Sequence, residues 1–179
     1  MRKEFAKVLR DKFVKAMKER FTEFEAISLK GNPYVWPGER VFLWKPTDSL
    51  HCYVILSVSP QYDEFYVHVG WSKLGRFPHL GRGVFRPTRE RQEFNEEEYL
   101  VKLSMLCGEN DGWSVSDMTA LGDSETLPDF EKLVESQVRN IPATTARAIV
   151  YPVVEKALDC LEKKGIPYLN DFLAYTIEK

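Results

Sequence analysis

The chain has 179 residues, 44% hydrophobic and 29% charged, with 25 Lys and Arg against 27 Asp and Glu for a net charge of −2. That size supports a single α+β domain spanning residues 1–179, with a core that needs neither disulfides nor a metal. The near-neutral balance excludes a global attraction to nucleic acid or to an anionic membrane, so any such attraction must come from a local patch.

Residues 3–25 read as one amphipathic helix. Phe5, Val8, Leu9, Phe13, Ala16, Met17, Phe21 and Phe24 recur at three-and-four spacing while Lys and Glu fill the other face. Such a stripe is what a sheet needs as a cover, so we read it as core rather than as a membrane-surface helix. Gly31-Asn32-Pro33 closes the element and its tail, and Tyr34-Val35-Trp36-Pro37-Gly38 forms an aromatic turn.

The stretch from Arg40 to Trp71 carries the organising pattern. Val41–Lys45 reads as a strand ended by Pro46–Ser49. Cys52, Val54, Leu56 and Val58 alternate with His51, Tyr53, Ile55 and Ser57; Phe65, Val67, Val69 and Trp71 alternate with Tyr66, His68 and Gly70. Placing Val58 opposite Phe65 brings Leu56 to Val67, Val54 to Val69 and Cys52 to Trp71, with Ile55 facing His68 on the other side. A slip of one residue would set an apolar row against a polar one. The expected fold is an antiparallel meander covered by the N-terminal helix and followed by a helical C-terminal third.

After Trp71 comes a loop rich in Gly, Pro and Arg, residues 72–92, with Lys73, Arg76, Arg82, Arg86, Arg89 and Arg91 opposed only by Glu90. Its Leu74, Phe77, Leu80, Val84 and Phe85 indicate that it packs. Glu93 and Glu96–Glu98 then precede Tyr99, Leu100, Leu103 and Leu106, which reads as a helix capped by Asn95. Trp113–Met118 reads as a short strand, Gly122–Pro128 as a linker, and Phe130–Ile141 as a helix stopped by Pro142. Ala146–Leu161 reads as another helix, kinked or split by Pro152 and closed by Lys163-Lys164-Gly165; Pro167 opens a last short one.

Cys52, Cys107 and Cys160 are odd in number and far apart, and no CxxC, CxxH, HxH or HExxH occurs. Neither a disulfide framework nor a metal site is expected, and no cofactor motif is present, GxGxxG, the P-loop and GxSxG all being absent. The charged N-terminus lacks a signal-peptide pattern, and no run of about 18 apolar residues offers a membrane span, so a reducing, cytoplasmic setting is the expectation. His51 and His68 read as structural residues, and His79, among the arginines, is the one histidine worth testing as an acid or base.

Gly70-Trp71-Ser72-Lys73-Leu74-Gly75-Arg76-Phe77-Pro78, with Arg86-Pro87, Glu98-Tyr99 and Trp113, resembles a group of uncharacterised bacterial proteins that share a Gly-Trp-Ser-x-x-Gly-x-Phe-Pro segment at a strand end. The resemblance covers roughly the middle third, implies a bacterial α+β protein, and transfers no catalytic residue. Taken together, the residues favour a small non-enzymatic binding protein whose partner is another protein, with an immunity- or defence-type role by analogy with small bacterial α+β inhibitors. Nucleic-acid or nucleotide binding is the second reading, through Arg76, His79, Arg82, Arg86 and Arg89 with Tyr34, Trp36 or Trp44 as stacking faces. An enzyme acting on a phosphorylated substrate, using His79 and an arginine, is the third.

Overall fold

The computed structural model describes residues 1–81, 86–109, 112–115 and 141–177. The expected linker 122–128, the expected helix 130–141 up to its last residue, the strand expected beyond Val115, and Arg82 lie outside them. Among the described residues the order is α1 (Lys3–Arg20), β1 (Glu25–Ile27), β2 (Arg40–Trp44), β3 (His51–Val58), β4 (Glu64–Ser72), a 3-10 turn (Gln92–Asn95), β5 (Glu98–Lys102), α2 (Leu103–Leu106), β6 (Trp113–Ser114), α3 (Ala143–Cys160), a π-helical turn (Leu161–Gly165) and α4 (Ile166–Ile177). The fold is α+β. No described helix is long and apolar enough to cross a membrane.

All strand pairs are antiparallel, in the order β1-β2-β3-β4-β5, and β6 pairs with β4 as well. The β3–β4 register is the one the alternation demands: Val58 faces Phe65, Leu56 faces Val67, Cys52 faces Trp71 and Ile55 faces His68. Phe5, Phe13, Met17, Val54, Leu56, Val67 and Val69 are buried in one cluster, so the stripe of α1 covers the sheet face as expected. Ala146, Val150, Val154, Leu158 and Phe172 from the C-terminal helices join the same cluster. The other sheet face carries a smaller core of Val41, Tyr53, Ile55, Phe77 and Leu100.

Four expectations are corrected. First, α1 ends at Arg20, not Glu25: the Phe21 N–H closes onto Met17 O, and Glu25–Ile27 pairs with β2 as an edge strand. Phe21 and Phe24 kept helical spacing because both still bury their rings in the core after the helix has stopped.

Second, the helix read after Asn95 is mostly strand. Glu98–Lys102 pairs with His68–Ser72 of β4, and only Leu103–Leu106 is helical. The free edge of β4 offers N–H and C=O groups whose pairing outweighs local helix preference. Tyr99 and Val101 then enter the main core and Leu100 the smaller one.

Third, α3 is not split at Pro152, whose ring and the carbonyl-bearing Ala148 it leaves without a donor both lie on an exposed face, open to water. Nor do Lys163-Lys164-Gly165 end the helix, which continues through the π turn into α4. The wide turn suits Pro167, which has no N–H to offer. Gly165 is there for closeness: a Cβ would sit 2.8 Å from Leu161 Cδ1 and 2.9 Å from Leu103 Cδ1.

Fourth, Cys107 and Cys160 form a disulfide, with Cα atoms 6.3 Å apart. They are 53 residues apart in sequence and meet because α2 packs on the end of α3. Cys52 is free and buried, and burial pushes its thiol up to about 12.

Candidate functional site

Trp71 anchors the strand that launches the Arg-rich loop. Its ring stacks on Phe172 with centroids 3.9 Å apart and on Tyr99 at 5.1 Å, and its Nε1 donates to Glu96 O at 3.2 Å. Gly70, its neighbour, faces Leu100 on β5. Gly75 has φ +62°, a conformation natural to glycine, and its N–H donates to Ser49 O at 2.9 Å. Phe77 is buried edge-on against Tyr53, centroids 5.3 Å apart. Of the five apolar loop residues expected to pack, Phe77 and Leu80 do so on the second sheet face, Leu74 is exposed, and Val84 and Phe85 lie outside the described residues.

Glu98 organises that return. On β5 opposite Ser72, its carboxylate accepts from Ser72 Oγ (3.3 Å) and His79 N (3.1 Å) and lies 3.3 Å from Arg76 Nη2. A second carboxylate does the same further on. Buried Glu93 accepts from Thr88 N (3.0 Å), Thr88 Oγ1 (2.7 Å) and Tyr168 Oη (2.9 Å), tying the loop to α4. Burial alone would raise its pKa, yet the Thr88 and Tyr168 hydrogen bonds win and hold it below the usual carboxylate value. Arg91 lies over the Tyr168 ring at 4.7 Å and 3.8 Å from Glu93 Oε1; Lys73 Nζ donates to Phe94 O at 2.8 Å.

The seven residues singled out in the sequence therefore divide. Arg76 is engaged by Glu98. Arg86 and Arg89 are exposed, with no carboxylate partner among the described residues. His79 stacks on Tyr34, centroids 4.2 Å apart and planes 11° off parallel, and Trp36, two residues along the same turn, is 54% exposed. Trp44 does not belong with them. It shares the helix-side face of β2 with Phe42 and packs on Phe24 at 5.8 Å, whereas Val41 and Leu43 face the loop side. The sequence reading missed Glu98 as an organiser because it placed that residue in a helix.

For chemistry the arrangement offers little. Among the described residues no Ser, Thr or Cys hydrogen-bonds the His79 ring, and no three or more His, Cys, Asp or Glu converge as metal ligands. His51 Nδ1 and Tyr53 Oη lie 3.2 Å apart. Burial, and then Lys45, lower the His51 pKa against the opposing Asp48 backbone hydrogen bond. Because the native state resists the proton, stability contributed by neutral His51 is lost as pH falls below the unfolded value of about 6.5. We expect the melting temperature to drop between about pH 7 and pH 5.5, and His51→Gln to flatten that slope. Superimposable profiles would show that His51 carries no such linkage.

The described residues form an α+β protein with a glycine-punctuated loop and an exposed aromatic turn. The chain matches no protein-family model, no curated protein and no solved structure.

Proposed function

We propose that this chain is a non-enzymatic binding protein that recognises another protein through Trp36 and the Tyr34–His79 stack, as an accessory or immunity-type factor of a bacterial cytoplasm. The observation that carries the reading is Trp36 itself, 54% exposed on a turn whose neighbour Tyr34 is braced by His79. An exposed Trp on a braced turn offers large contact area at small entropic cost, and Trp and Tyr dominate interface energetics. The engagement of Arg76 by Glu98 takes up one of the cations named for the nucleic-acid reading, and the loop's Lys73 and Arg91 are tied to Phe94 O and Glu93. In a reducing cytoplasm Cys107 and Cys160 would be held as thiols, and the α2–α3 contact would stand without the bridge.

The test compares the wild type with Trp36→Ala. One partner captured from the native host by the wild type should be lost by the variant, with affinity falling by about 2 kcal/mol, roughly thirtyfold, and stability changing by no more than about 0.5 kcal/mol. A partner that binds both proteins equally would overturn the reading. So would tight binding of a short fluorescent single strand that weakens steeply with salt and is lost on Arg86→Ala, since that slope marks phosphate contacts.

A further inference from the structure

α1 and α3 run side by side in the same direction, and their two ends are treated differently. At the C-terminal ends, Arg20 meets Glu155, Asp159 and Glu162, and Lys12 meets Glu155. Both of these cations have a carboxylate partner. At the N-terminal ends a cleft of about 630 Å³ opens, lined from α1 by Lys3, Lys7 and Arg10 and from α3 by Ala143, Arg147 and Tyr151. Glu4 and Asp11 also line it, yet no ion pair joins either of them to those four cations. Four cations against two carboxylates leave the cleft positive. Both helices point their N-termini, and hence their positive dipole ends, toward it, and α3 has no acidic residue in its first turn and no side-chain cap.

Arg10 makes the imbalance acute. Its Nε is buried with no hydrogen-bond partner, and its guanidinium is packed against Gly38, where an added Cβ would lie 2.9 Å from Nη2. Burial, and then the neighbouring Arg40, lower its pKa, so its charge is both desolvated and faced by a like charge. A desolvated charge beside a like charge is costly, and an anion in the cleft would relieve the repulsion between Arg10 and Arg40.

We propose that this cleft binds a small phosphate-bearing molecule, its diphosphate or phosphate-ester group held by Lys7, Arg10 and Arg147. The volume lies in the range of small-molecule sites, and guanidinium groups match phosphate oxygens in pairs. Tyr151, 39% exposed at the rim, supplies a face for an attached ring. None of the lining residues belongs to the turn carrying Trp36 or the loop carrying His79. Arg10 meets Gly38, at the far end of that turn from Tyr34, and Trp36→Ala separates this site from the protein-binding reading.

The experiment titrates full-length protein with inorganic pyrophosphate and, separately, ADP, by calorimetry and by melting, at constant ionic strength set with sodium chloride. Saturable binding with a rise in melting temperature is expected. Lys7→Glu with Arg147→Glu, both exposed in the native protein, should weaken it by at least about tenfold, since each replaces a charge-assisted hydrogen bond by a repulsion. Trp36→Ala should bind both probes as the wild type does. Tighter binding of ADP than of pyrophosphate, lost on Tyr151→Ala, identifies an ester with a ring; equal binding identifies the diphosphate alone as the recognised group. Absence of saturable binding, or equal affinity in the wild type and the double variant, overturns the proposal. A folded double variant is verified by its unchanged melting temperature in chloride alone, and Lys7→Gln with Arg147→Gln serves if the glutamates perturb it.

Discussion

Val67→Asp should abolish cooperative folding. Val67 is fully buried in β4, faces Leu56 across the β3 pair, and points into the cluster made by α1, the sheet and the C-terminal helices. An aspartate there has no cation to meet. It must either carry a desolvated charge or take up a proton and bury an unpartnered carboxyl, and either choice costs several kcal/mol. Native domains have only about 5–15 kcal/mol in hand. Val67→Ala removes volume without adding charge and should cost about 2 kcal/mol, keeping a sharp transition at lower temperature. Urea denaturation of the two variants separates the effects. A Val67→Asp protein that unfolds with a midpoint near the wild type's would mean that this side chain can reach water, and the β3–β4 register would be wrong.

That register was legible because two strict alternations constrain each other: pairing Val58 with Phe65 sets all of Cys52, Val54, Leu56 and Val58 against Trp71, Val69, Val67 and Phe65, whereas a one-residue slip would set an apolar row against a polar one. The cover helix was legible for the same kind of reason, through spacing. What could not be read locally was decided by distant partners. Tyr99, Leu100, Leu103 and Leu106 satisfy helical spacing, but the open edge of β4 claims Glu98–Lys102 as a strand. Gly165 looks like a helix stop until Leu103 is seen pressing on it. Cys107 and Cys160 carry no spacing signal at all, because packing of α2 on α3 brings them together.

The candidate surface was half legible. Composition marks the loop from Lys73 onward as unusual and basic, and Phe77 and Leu80 foretell that it packs. Composition does not say which cations remain available. That depends on Glu98 and Glu93, whose positions follow from β5 and the 3-10 turn, both hidden behind the helix reading. Trp44 was separable from Trp36 in principle: alternation along β2 places it with Phe42, on the side that α1 covers. The basic cleft left a faint trace in Lys3, Lys7 and Arg10, which share one side of α1 by spacing. Only the parallel placement of α3 beside α1 gives that row a facing wall.

Gly70→Ala tests the junction on which both the sheet and the loop depend. A Cβ on Gly70 would lie 1.9 Å from the Tyr99 carbonyl oxygen and 2.9 Å from Leu100 Cα. These are backbone atoms of the paired strand, so no rotamer change can relieve the overlap; β4 and β5 must separate. Separation would unpair part of the His68–Ser72 ladder and loosen Tyr99 from Trp71, which stacks on it 5.1 Å away. It would also shift Glu98, and with it the hydrogen bonds that hold Arg76 and His79 in place. Overpacking in a core costs about 1–3 kcal/mol when side chains can yield; with backbone on one side, the loss should reach or exceed the top of that range. Gly81→Ala is the matched control, because nothing lies within 4 Å of its Cβ and no positive φ is required. That change should be neutral or stabilise by up to about 1 kcal/mol through the unfolded chain. Thermal melts followed by near-ultraviolet circular dichroism read both quantities, since Trp71 sits within its stack of aromatic rings. Gly70→Ala should lower the melting temperature and diminish the aromatic signal together. If it melts as Gly81→Ala does, with the signal intact, β5 does not lie against Gly70, and the placement of Glu98 over the loop fails with it.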